Sequence, residues 1–329
     1  MRHCVLHDTH PLFRIAGPTT IWLCVFAGSL AATPGFAAED ATQPDTAAVS
    51  FRLAHGFAVI VPVTVNGSGP YSFLLDTGSS QTSIDAELSD KLHLHPVPGG
   101  NVITITESRS VEVARIESLA VSTTRFAETE VLVRDLHALR ALDRSLRGVL
   151  GQDALRQTDY LLDYQHRTVQ FDEDGEVLRS ADGERLLLTP VSSSSGAQYG
   201  STLVATTVRD AHRMLVLDSG SASLVLFEKN VPPGSAFATG DVRDDYGRRG
   251  MARVEKVQLC IGRSCQQAAA WSVAGRVFPG IDGLLPTWLF PSLYVSNSGG
   301  FIMLAPHRRR AIPDDMASLK GGIAPAGGR

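Results

Sequence analysis

The chain has 329 residues, of which 19% are charged and 43% hydrophobic, and its formal net charge is −4. This is an ordinary globular composition, and it lacks the excess of positive charge that attracts nucleic acid. About 290 residues remain after the leader described next, which is enough for about two domains that each bury a core.

The first 37 residues predict an export signal. Arg14 precedes the apolar stretch 21–27, and Gly35-Phe-Ala37 places small residues on both sides of a cleavage position. The apolar stretch is too short for a membrane span. We expect a signal peptide over 1–37, a linker over 38–50, and a mature protein that is periplasmic or secreted, without stable membrane insertion.

Strand patterns follow the linker. Residues 59–65 and 71–75 predict a hairpin, with a turn at 66–69, that delivers Asp76 at its end. Residues 84–92 have a helical rhythm, with Asp85 as the expected N-cap.

The next segments continue the β-rich pattern. Alternating β-branched residues over 102–133 predict a meander with a projecting hairpin, and 136–146 is a second candidate for a short helix. Residues 159–164 and 168–171 are expected to be strands. The polar, turn-rich segment 172–183 then marks a boundary.

A second strand pair lies beyond that boundary. Residues 203–208 and 214–217 predict strands on either side of a turn at 209–213. The predicted fold class is all-β, with two similar β-barrel lobes, a cleft between them and few short helices. The expected domains are an N-terminal lobe over 51–174, a C-terminal lobe over 175–306 and a flexible tail over 307–329.

Two short segments of the chain are near copies of each other. Residues 73–80 read Phe-Leu-Leu-Asp-Thr-Gly-Ser-Ser, and residues 215–222 read Leu-Val-Leu-Asp-Ser-Gly-Ser-Ala. Each apolar strand runs into an aspartate, where burial penalises ionisation, and the following glycine lets another backbone approach closely. Two such motifs in one chain indicate a pair of carboxylates, Asp76 and Asp218.

Paired carboxylates at close range share a proton. The ionised member draws a proton from water while the protonated member polarises a carbonyl group. The residues that complete the two turns are Thr77, Gly78, Ser79, Ser219, Gly220 and Ser221.

The repeat extends beyond the two aspartates. Residues 114–121 line up with 252–259, and 148–155 with 283–290. The copies are about 140 residues apart, too long a period for a solenoid, which indicates a duplicated domain.

These paired motifs resemble the aspartic peptidases of the retropepsin-like and pepsin-like superfamily. The resemblance implies an exported endopeptidase that hydrolyses peptide bonds of a polypeptide substrate with an activated water, a dyad of Asp76 and Asp218, and no cofactor. It implies that Thr77 and Ser219 hydrogen-bond across the interface between the lobes. A monomer is expected, although family members with one motif per chain act as dimers.

The resemblance also implies a hairpin flap over the cleft. By spacing, the segment containing Thr104, Ile105 and Thr106 would be the tip in the first lobe, and Tyr246 would belong to the tip in the second. The alternative for Tyr246 is an exposed loop side chain. The first lobe has no tyrosine between Asp76 and Tyr160, so the chain is more similar to two fused retropepsin-like domains than to a pepsin.

One departure from the family pattern concerns the support of the second turn. Val149-Leu150-Gly151 matches the apolar-apolar-Gly segment of the family, whereas the second copy has Leu284-Leu285-Pro286. Proline fixes φ and removes a donor. The alternative function is therefore a catalytically inactive, peptidase-like binding or scaffold protein of the cell envelope.

Ser79 and Ser221 follow the two glycines, and we expect each hydroxyl to donate a hydrogen bond to its neighbouring aspartate. Such a donor lowers a carboxyl pKa, which favours an acidic to mildly acidic optimum, whereas burial of the dyad acts in the opposite direction.

The mature chain keeps two cysteines, Cys260 and Cys265, on either side of a short turn. A hairpin would place the sulfurs opposite each other, and we expect a structural disulfide. The alternative is a redox or metal pair, but two cysteines do not complete a zinc site. His93 and His95 could offer two metal ligands, but nothing acidic or cysteine-containing nearby completes a site, so we expect surface histidines and predict no metal site.

Overall fold

The computed structural model describes residues 48–104, 107–127, 129–189, 202–228, 238–274 and 278–305. The predicted signal peptide, most of the linker, the predicted tail, Ile105 and Thr106 lie outside the described residues.

The fold is all-β, as the sequence predicted. The strands are β1 Val49–Ser50, β2 Arg52–Ala54, β3 Ala58–Val65, β4 Ser68–Leu75, β5 Ser83–Asp85, β6 Val97–Ile103, β7 Ser108–Ile116, β8 Leu119–Val121, β9 Thr124–Phe126, β10 Thr129–Arg134, β11 Leu146–Leu150, β12 Asp159–Asp163, β13 Thr168–Asp172, β14 Glu184–Leu187, β15 Leu203–Val208, β16 Ala211–Asp218, β17 Leu224–Glu228, β18 Ala238–Arg243, β19 Arg249–Ile261, β20 Ser264–Ala274, β21 Gly283–Pro286, β22 Ser292–Ser296 and β23 Phe301–Leu304. The helices are α1 Ala86–Lys91, α2 Gln152–Leu155 and α3 Glu176–Ser180, with 3-10 turns at Leu139–Ala141 and Thr287–Leu289.

The hairpin that leads to Asp76 forms because β3 is strongly apolar and the turn after it fits. The side chains of Val59, Val61, Val63 and Val65 are almost completely buried along β3. Asn66 and Gly67 connect β3 to β4 with φ of 48° and 72°, as a two-residue hairpin turn of the Asn-Gly kind requires.

Two sheets repeat one pattern of strand pairing. The ten-stranded sheet, called here the N-terminal sheet, has the order β6-β7-β10-β5-β11-β4-β3-β8-β9, with β2 paired to β3. The seven-stranded sheet, the C-terminal sheet, has the order β15-β16-β21-β17-β20-β19-β18. In both, the strand before the aspartate pairs in parallel with a strand near the end of the repeat, which pairs in turn with an antiparallel neighbour. The two sheets therefore share the strand pairing around the strand that precedes each aspartate.

A third sheet combines strands from both halves of the chain. This shared sheet has the order β1-β13-β12-β22-β23-β14, and all its pairings are antiparallel. The strands predicted at 159–164 and 168–171 are β12 and β13, and β12 pairs directly with β22 from the end of the described chain. The last two residues of the predicted linker form β1 at one edge, and the segment 172–183 contains α3.

The main apolar core runs through both halves of the molecule. It includes Phe73 and Leu75 of the strand before Asp76, and Leu215 and Leu217 of the strand before Asp218. All four side chains are fully buried. Burial on this scale holds the ends of β4 and β16 in fixed positions.

Two local predictions were wrong in detail. The helix expected at 84–92 covers only Ala86–Lys91, because Ile84 and Asp85 belong to β5. Asp85 is the N-cap residue, as predicted, although its side chain makes no capping hydrogen bond because its carboxylate pairs with Arg140. The helix expected at 136–146 is a single 3-10 turn.

The predicted turn at 209–213 is also shorter than expected. Only Arg209 and Asp210 lie between β15 and β16, with φ of 51° and 62°. Two residues with positive φ make a tight hairpin turn, and the sequence hides it because neither residue is glycine. Within the described residues, no helix has the length and apolar character needed to cross a membrane.

Candidate active site

Asp76 and Asp218 lie at the ends of matching buried strands. Asp76 directly follows β4 and donates its backbone N–H to the carbonyl of Leu150 at 3.0 Å. Asp218 is the last residue of β16, in register with Pro286 of β21. Both aspartates are buried, with 7% and 8% of their surface exposed.

Thr77 and Ser219 join the two turns through a reciprocal set of hydrogen bonds. Thr77 Oγ1 donates to the carbonyl of Leu217 at 2.8 Å and accepts from the backbone N–H of Ser219 at 3.0 Å. Ser219 Oγ donates to the carbonyl of Leu75 at 2.7 Å and accepts from the backbone N–H of Thr77 at 3.0 Å. Each hydroxyl therefore satisfies two buried backbone groups of the other turn.

The two glycines let each turn approach the opposite carboxyl group. A Cβ atom on Gly78 would lie 2.5 Å from Asp218 Cγ, and one on Gly220 would lie 2.9 Å from Asp76 Cγ. Any larger residue would clash, so this close approach requires glycine at both positions.

The backbone and one serine bind the aspartates directly. The N–H of Gly78 donates to Asp76 Oδ1 at 2.9 Å, and the N–H of Gly220 donates to Asp218 Oδ1 at 2.8 Å. Ser79 Oγ donates to Asp76 Oδ2 at 2.7 Å, as expected.

The matching expectation for Ser221 was wrong. Its hydroxyl donates to the carbonyl of Ser223 at 2.8 Å. The cause is local, because the chain after Ser221 turns so that a backbone acceptor two residues away captures the hydroxyl. The two aspartates therefore differ in their hydrogen bonding although their motifs nearly coincide.

The pKa values of both carboxyl groups are raised. Burial is the main cause for Asp76, followed by the negative charge of Asp245, while the Ser79 hydroxyl and the Gly78 N–H act in the opposite direction. Burial also dominates for Asp218, whose pKa is raised well above the usual value with further contributions from the charge of Asp76 and a hydrogen bond between the two carboxyl groups. These directions favour Asp218 as the protonated member of the pair and Asp76 as the ionised member.

Gln152 supports the first turn from below, and the sequence reasoning missed it. Its side-chain amide donates to the carbonyl of Thr77 at 2.9 Å and to Thr202 Oγ1 at 3.3 Å, and the residue is fully buried. Thr202 in turn accepts the N–H of Leu217 at 2.9 Å through its carbonyl. In the sequence, the only distinguishing feature of Gln152 is that it directly follows Gly151, and this position alone does not indicate a supporting role.

Gly151 and Pro286 occupy matching places below the two turns. A Cβ on Gly151 would lie 2.5 Å from the carbonyl carbon of Gln81, so glycine is required there. Pro286 is extended, with φ −67° and ψ 129°, and pairs with Asp218 in β21. Since this φ is the one that proline prefers, the replacement leaves the strand pairing beside Asp218 intact.

The two predicted flap hairpins contact each other at their tips. The tip between β18 and β19 carries Asp244, Tyr246 and Arg248. Thr104 Oγ1 donates to Asp244 Oδ2 at 2.9 Å, and Arg248 Nε lies 2.9 Å from Glu107 Oε2.

Tyr246 is half-buried at this contact, which excludes the exposed alternative. The guanidinium carbons of Arg109 and Arg134 lie 4.4 Å and 5.4 Å from the centre of its ring. Such distances correspond to cation–π contacts. Neither Arg109 nor Arg134 was among the site residues predicted from the sequence.

Cys260 and Cys265 form the predicted disulfide, at facing positions of the hairpin β19–β20. Within the part of the chain that the structure describes, no cluster of three or more metal-ligating side chains was found.

Comparison with known proteins agrees with this geometry for part of the chain. Residues 61–154 match the aspartyl protease family model, a segment that includes Asp76 and Gly151 and ends before Asp218. This match supports a relationship to the aspartic peptidases in general. No curated protein matches the chain.

Among solved structures, the chain is similar to a retropepsin-like aspartic protease from Rickettsia conorii, with 15% identity. The alignment covers 38% of this chain and 89% of that chain, with a TM-score of 0.31. At that TM-score the likeness adds no weight to the assignment.

Proposed function

We propose that this protein is an aspartic endopeptidase that hydrolyses peptide bonds with a water molecule activated by Asp76 and Asp218. The observation that carries the proposal is the pair of buried carboxyl groups at the ends of two strands that Thr77 and Ser219 bind together. One water between such carboxyl groups is within hydrogen-bonding reach of both.

The unequal environments of the aspartates assign their roles. Asp76, ionised, takes a proton from the water as its oxygen attacks the peptide carbonyl carbon, and Asp218 donates its proton to the carbonyl oxygen. The tetrahedral diol then collapses: the C–N bond breaks, Asp76 gives its proton to the leaving nitrogen, and Asp218 recovers a proton from a diol hydroxyl. The dyad ends in its starting state, so the cycle requires no cofactor.

The contacts between hairpin tips support a polypeptide as substrate. An extended peptide that lies across the dyad would pass beneath β6–β7 and β18–β19, whose strands carry backbone groups able to bind it. The Cys260–Cys265 disulfide supports a periplasmic or secreted site of action, where such bonds persist. Because both aspartates come from one chain, we propose that the monomer is active.

The decisive assay measures cleavage of a denatured protein substrate and its inhibition by pepstatin. Wild type should cleave, whereas Asp76→Asn and Asp218→Asn should each lose activity by several orders of magnitude, because each removes a group that transfers a proton. Asp90→Asn is the matched control, since Asp90 is exposed on α1 and should leave activity unchanged.

Two outcomes would overturn the proposal in different ways. A folded wild-type protein that cleaves no substrate, and whose Asp218→Ala variant keeps its binding partner, would establish the inactive scaffold alternative. Activity that sediments only with a dimer would show that Asp76 pairs with the same residue of a second chain.

A further inference from the structure

Arg134 is a buried cation at the end of β10 whose carboxylate partner comes from the opposite sheet. Its side chain is only 3% exposed, and its Nε donates to Ser83 Oγ at 3.1 Å, which fixes it to the strand that follows the Asp76 turn. Its Nη2 lies 3.0 Å from Asp245 Oδ2, at the tip of the hairpin β18–β19. Its Nη1 is buried and has no hydrogen-bond partner among the described residues.

A cavity of about 440 Å³ adjoins this guanidinium. Arg109 and Tyr246 contribute to its wall beside Arg134, with apolar surface from Val111, Val133 and Ala138. Arg109 lies over the Tyr246 ring, is 44% exposed and pairs with Glu107. An unsatisfied buried donor on a side chain that lines a cavity of this size indicates a place for an acceptor.

The site is connected to the candidate dyad through neighbouring strands. Ser83, which binds Arg134, pairs with Val149 of β11, and the next residue, Leu150, accepts the backbone N–H of Asp76. The negative charge of Asp245, which binds Arg134, also raises the pKa of both Asp76 and Asp218.

We propose that Arg134, assisted by Arg109, forms a subsite for an acidic side chain of the peptide substrate, and that Asp245 occupies this subsite while no substrate is bound. The inference rests on the proposed peptidase function and names the class of side chain that the cleft selects. Asp245 and Tyr246 imitate part of such a substrate, with a carboxylate on Arg134 and an aromatic ring on the cavity wall.

Separation of the Arg134–Asp245 ion pair has a different cost for each of the two side chains. Asp245 is 37% exposed and lies on a hairpin tip, so water solvates its carboxylate when the tip lifts. Arg134 is packed within the N-terminal sheet and cannot follow, and a buried guanidinium without an anion is strongly unfavourable. A substrate carboxylate restores the pair with two charge-assisted hydrogen bonds, including one from the unsatisfied Nη1, whereas a basic side chain would face a cation.

The test is a binding measurement in the Asp76→Asn background, where no cleavage consumes the probe. The probes are fluorescein-labelled peptides of one common sequence with Glu, Gln or Lys at a single position, which is moved along the peptide, and the readout is fluorescence anisotropy. At one position the Glu peptide should bind about tenfold more tightly than the Gln peptide, as expected for a charge-assisted pair.

Three variants of that background then identify the residues responsible. Arg134→Met should bring the Glu-to-Gln ratio of affinities to about one, and Arg109→Met should reduce it severalfold. Asp245→Asn should strengthen binding of the Glu peptide more than that of the Gln peptide, because it removes the internal competitor. Arg125→Met is the matched control, since this exposed arginine lies on β9 at the opposite edge of the N-terminal sheet and should leave the ratio unchanged.

If Arg134→Met fails to fold, Arg109→Met and Asp245→Asn still decide the question, because both side chains are more than a third exposed. A ratio near one at every position, a preference for Lys, or an equal loss in Arg125→Met would overturn the subsite. A wild-type protein that cleaves peptides without preference for Glu refutes the subsite alone. A protein that cleaves nothing but prefers the Glu peptide refutes the peptidase function alone.

Discussion

Ser79 and Ser221 occupy equivalent places in the two motifs, yet only Ser79 binds its aspartate. The Ser79 hydrogen bond offsets part of the rise in the pKa of Asp76, whereas Ser221 provides no such offset for Asp218. A single hydroxyl thereby helps to decide which carboxyl group holds the shared proton.

We predict that Ser79→Ala moves the acidic limb of the kcat/KM profile to higher pH. The variant loses a donor to the ionised form of Asp76, so the pKa of Asp76 rises and the singly ionised dyad forms later as pH increases. Ser221→Ala should leave the limb in place, since its hydroxyl bonds to a backbone carbonyl. Equal shifts in both variants would show that the hydroxyl of Ser79 does not tune the dyad.

Asp245→Asn should shift the whole kcat/KM profile in the opposite direction, to lower pH. The charge of Asp245 raises the pKa of both members of the dyad, so its removal lowers both. The released Arg134 adds a positive charge that acts with the same sign. Profiles of wild type and variant that superimpose would contradict this account of Asp245.

The reciprocal hydrogen bonds of Thr77 and Ser219 connect two turns that are about 140 residues apart in the sequence. Each side-chain hydroxyl satisfies backbone groups, as a capping side chain does at a helix end, but here the backbone groups belong to the other sheet. These hydrogen bonds stabilise the fold because their loss would leave buried backbone groups without hydrogen-bond partners. Each hydroxyl serves two backbone groups that no water reaches, since Thr77 and Ser219 are 1% and 0% exposed.

Thr77→Val is expected to lower the free energy of unfolding by about 1–3 kcal/mol, because the Leu217 carbonyl and the Ser219 N–H each lose a partner while buried. Thr77→Ser keeps the hydroxyl and should cost less. Denaturant unfolding of both variants measures the difference, and equal losses would show that packing of the methyl group matters more than the hydrogen bonds.

Local patterns in the sequence were enough to predict the two strand-to-aspartate turns, the Asn-Gly hairpin and the disulfide. They failed where the determining contact is distant. Arg134 and Asp245 are far apart in sequence, and neither belongs to a recognisable motif, so their ion pair required the three-dimensional fold. The prediction for Ser221 was wrong for the opposite reason. A carbonyl only two residues away competes with the aspartate for its hydroxyl, and the similarity of the two motifs gives no sign of this competition.

At the scale of the molecule, the dyad makes stability depend on pH in the sense opposite to an ordinary salt-bridged carboxylate. The folded protein raises the pKa of both aspartates, so it binds a proton more tightly than the unfolded chain does. This contribution to stability is fully present below the unfolded pKa of about 4, and it is lost as pH rises through the folded pKa.

Asp218→Asn should therefore be more stable than wild type near neutral pH while it is inactive. The amide is neutral at every pH, so the variant does not bury a second negative charge beside Asp76. The free energies of unfolding should converge at low pH, where Asp218 is protonated in both states of the wild type. Asp90→Asn controls for the loss of one carboxylate at the surface, and a destabilised Asp218→Asn at neutral pH would refute this account.

The shared sheet also sets the time at which the dyad is complete during synthesis. Strands β12 and β13 are made early, but their neighbours β22 and β23 end only at Leu304. A chain that still lacks its second half has neither Ser219 to bind Thr77 nor the strands that complete the shared sheet. Under the proposed function, hydrolytic activity therefore arises only after nearly all of the described residues have been synthesised.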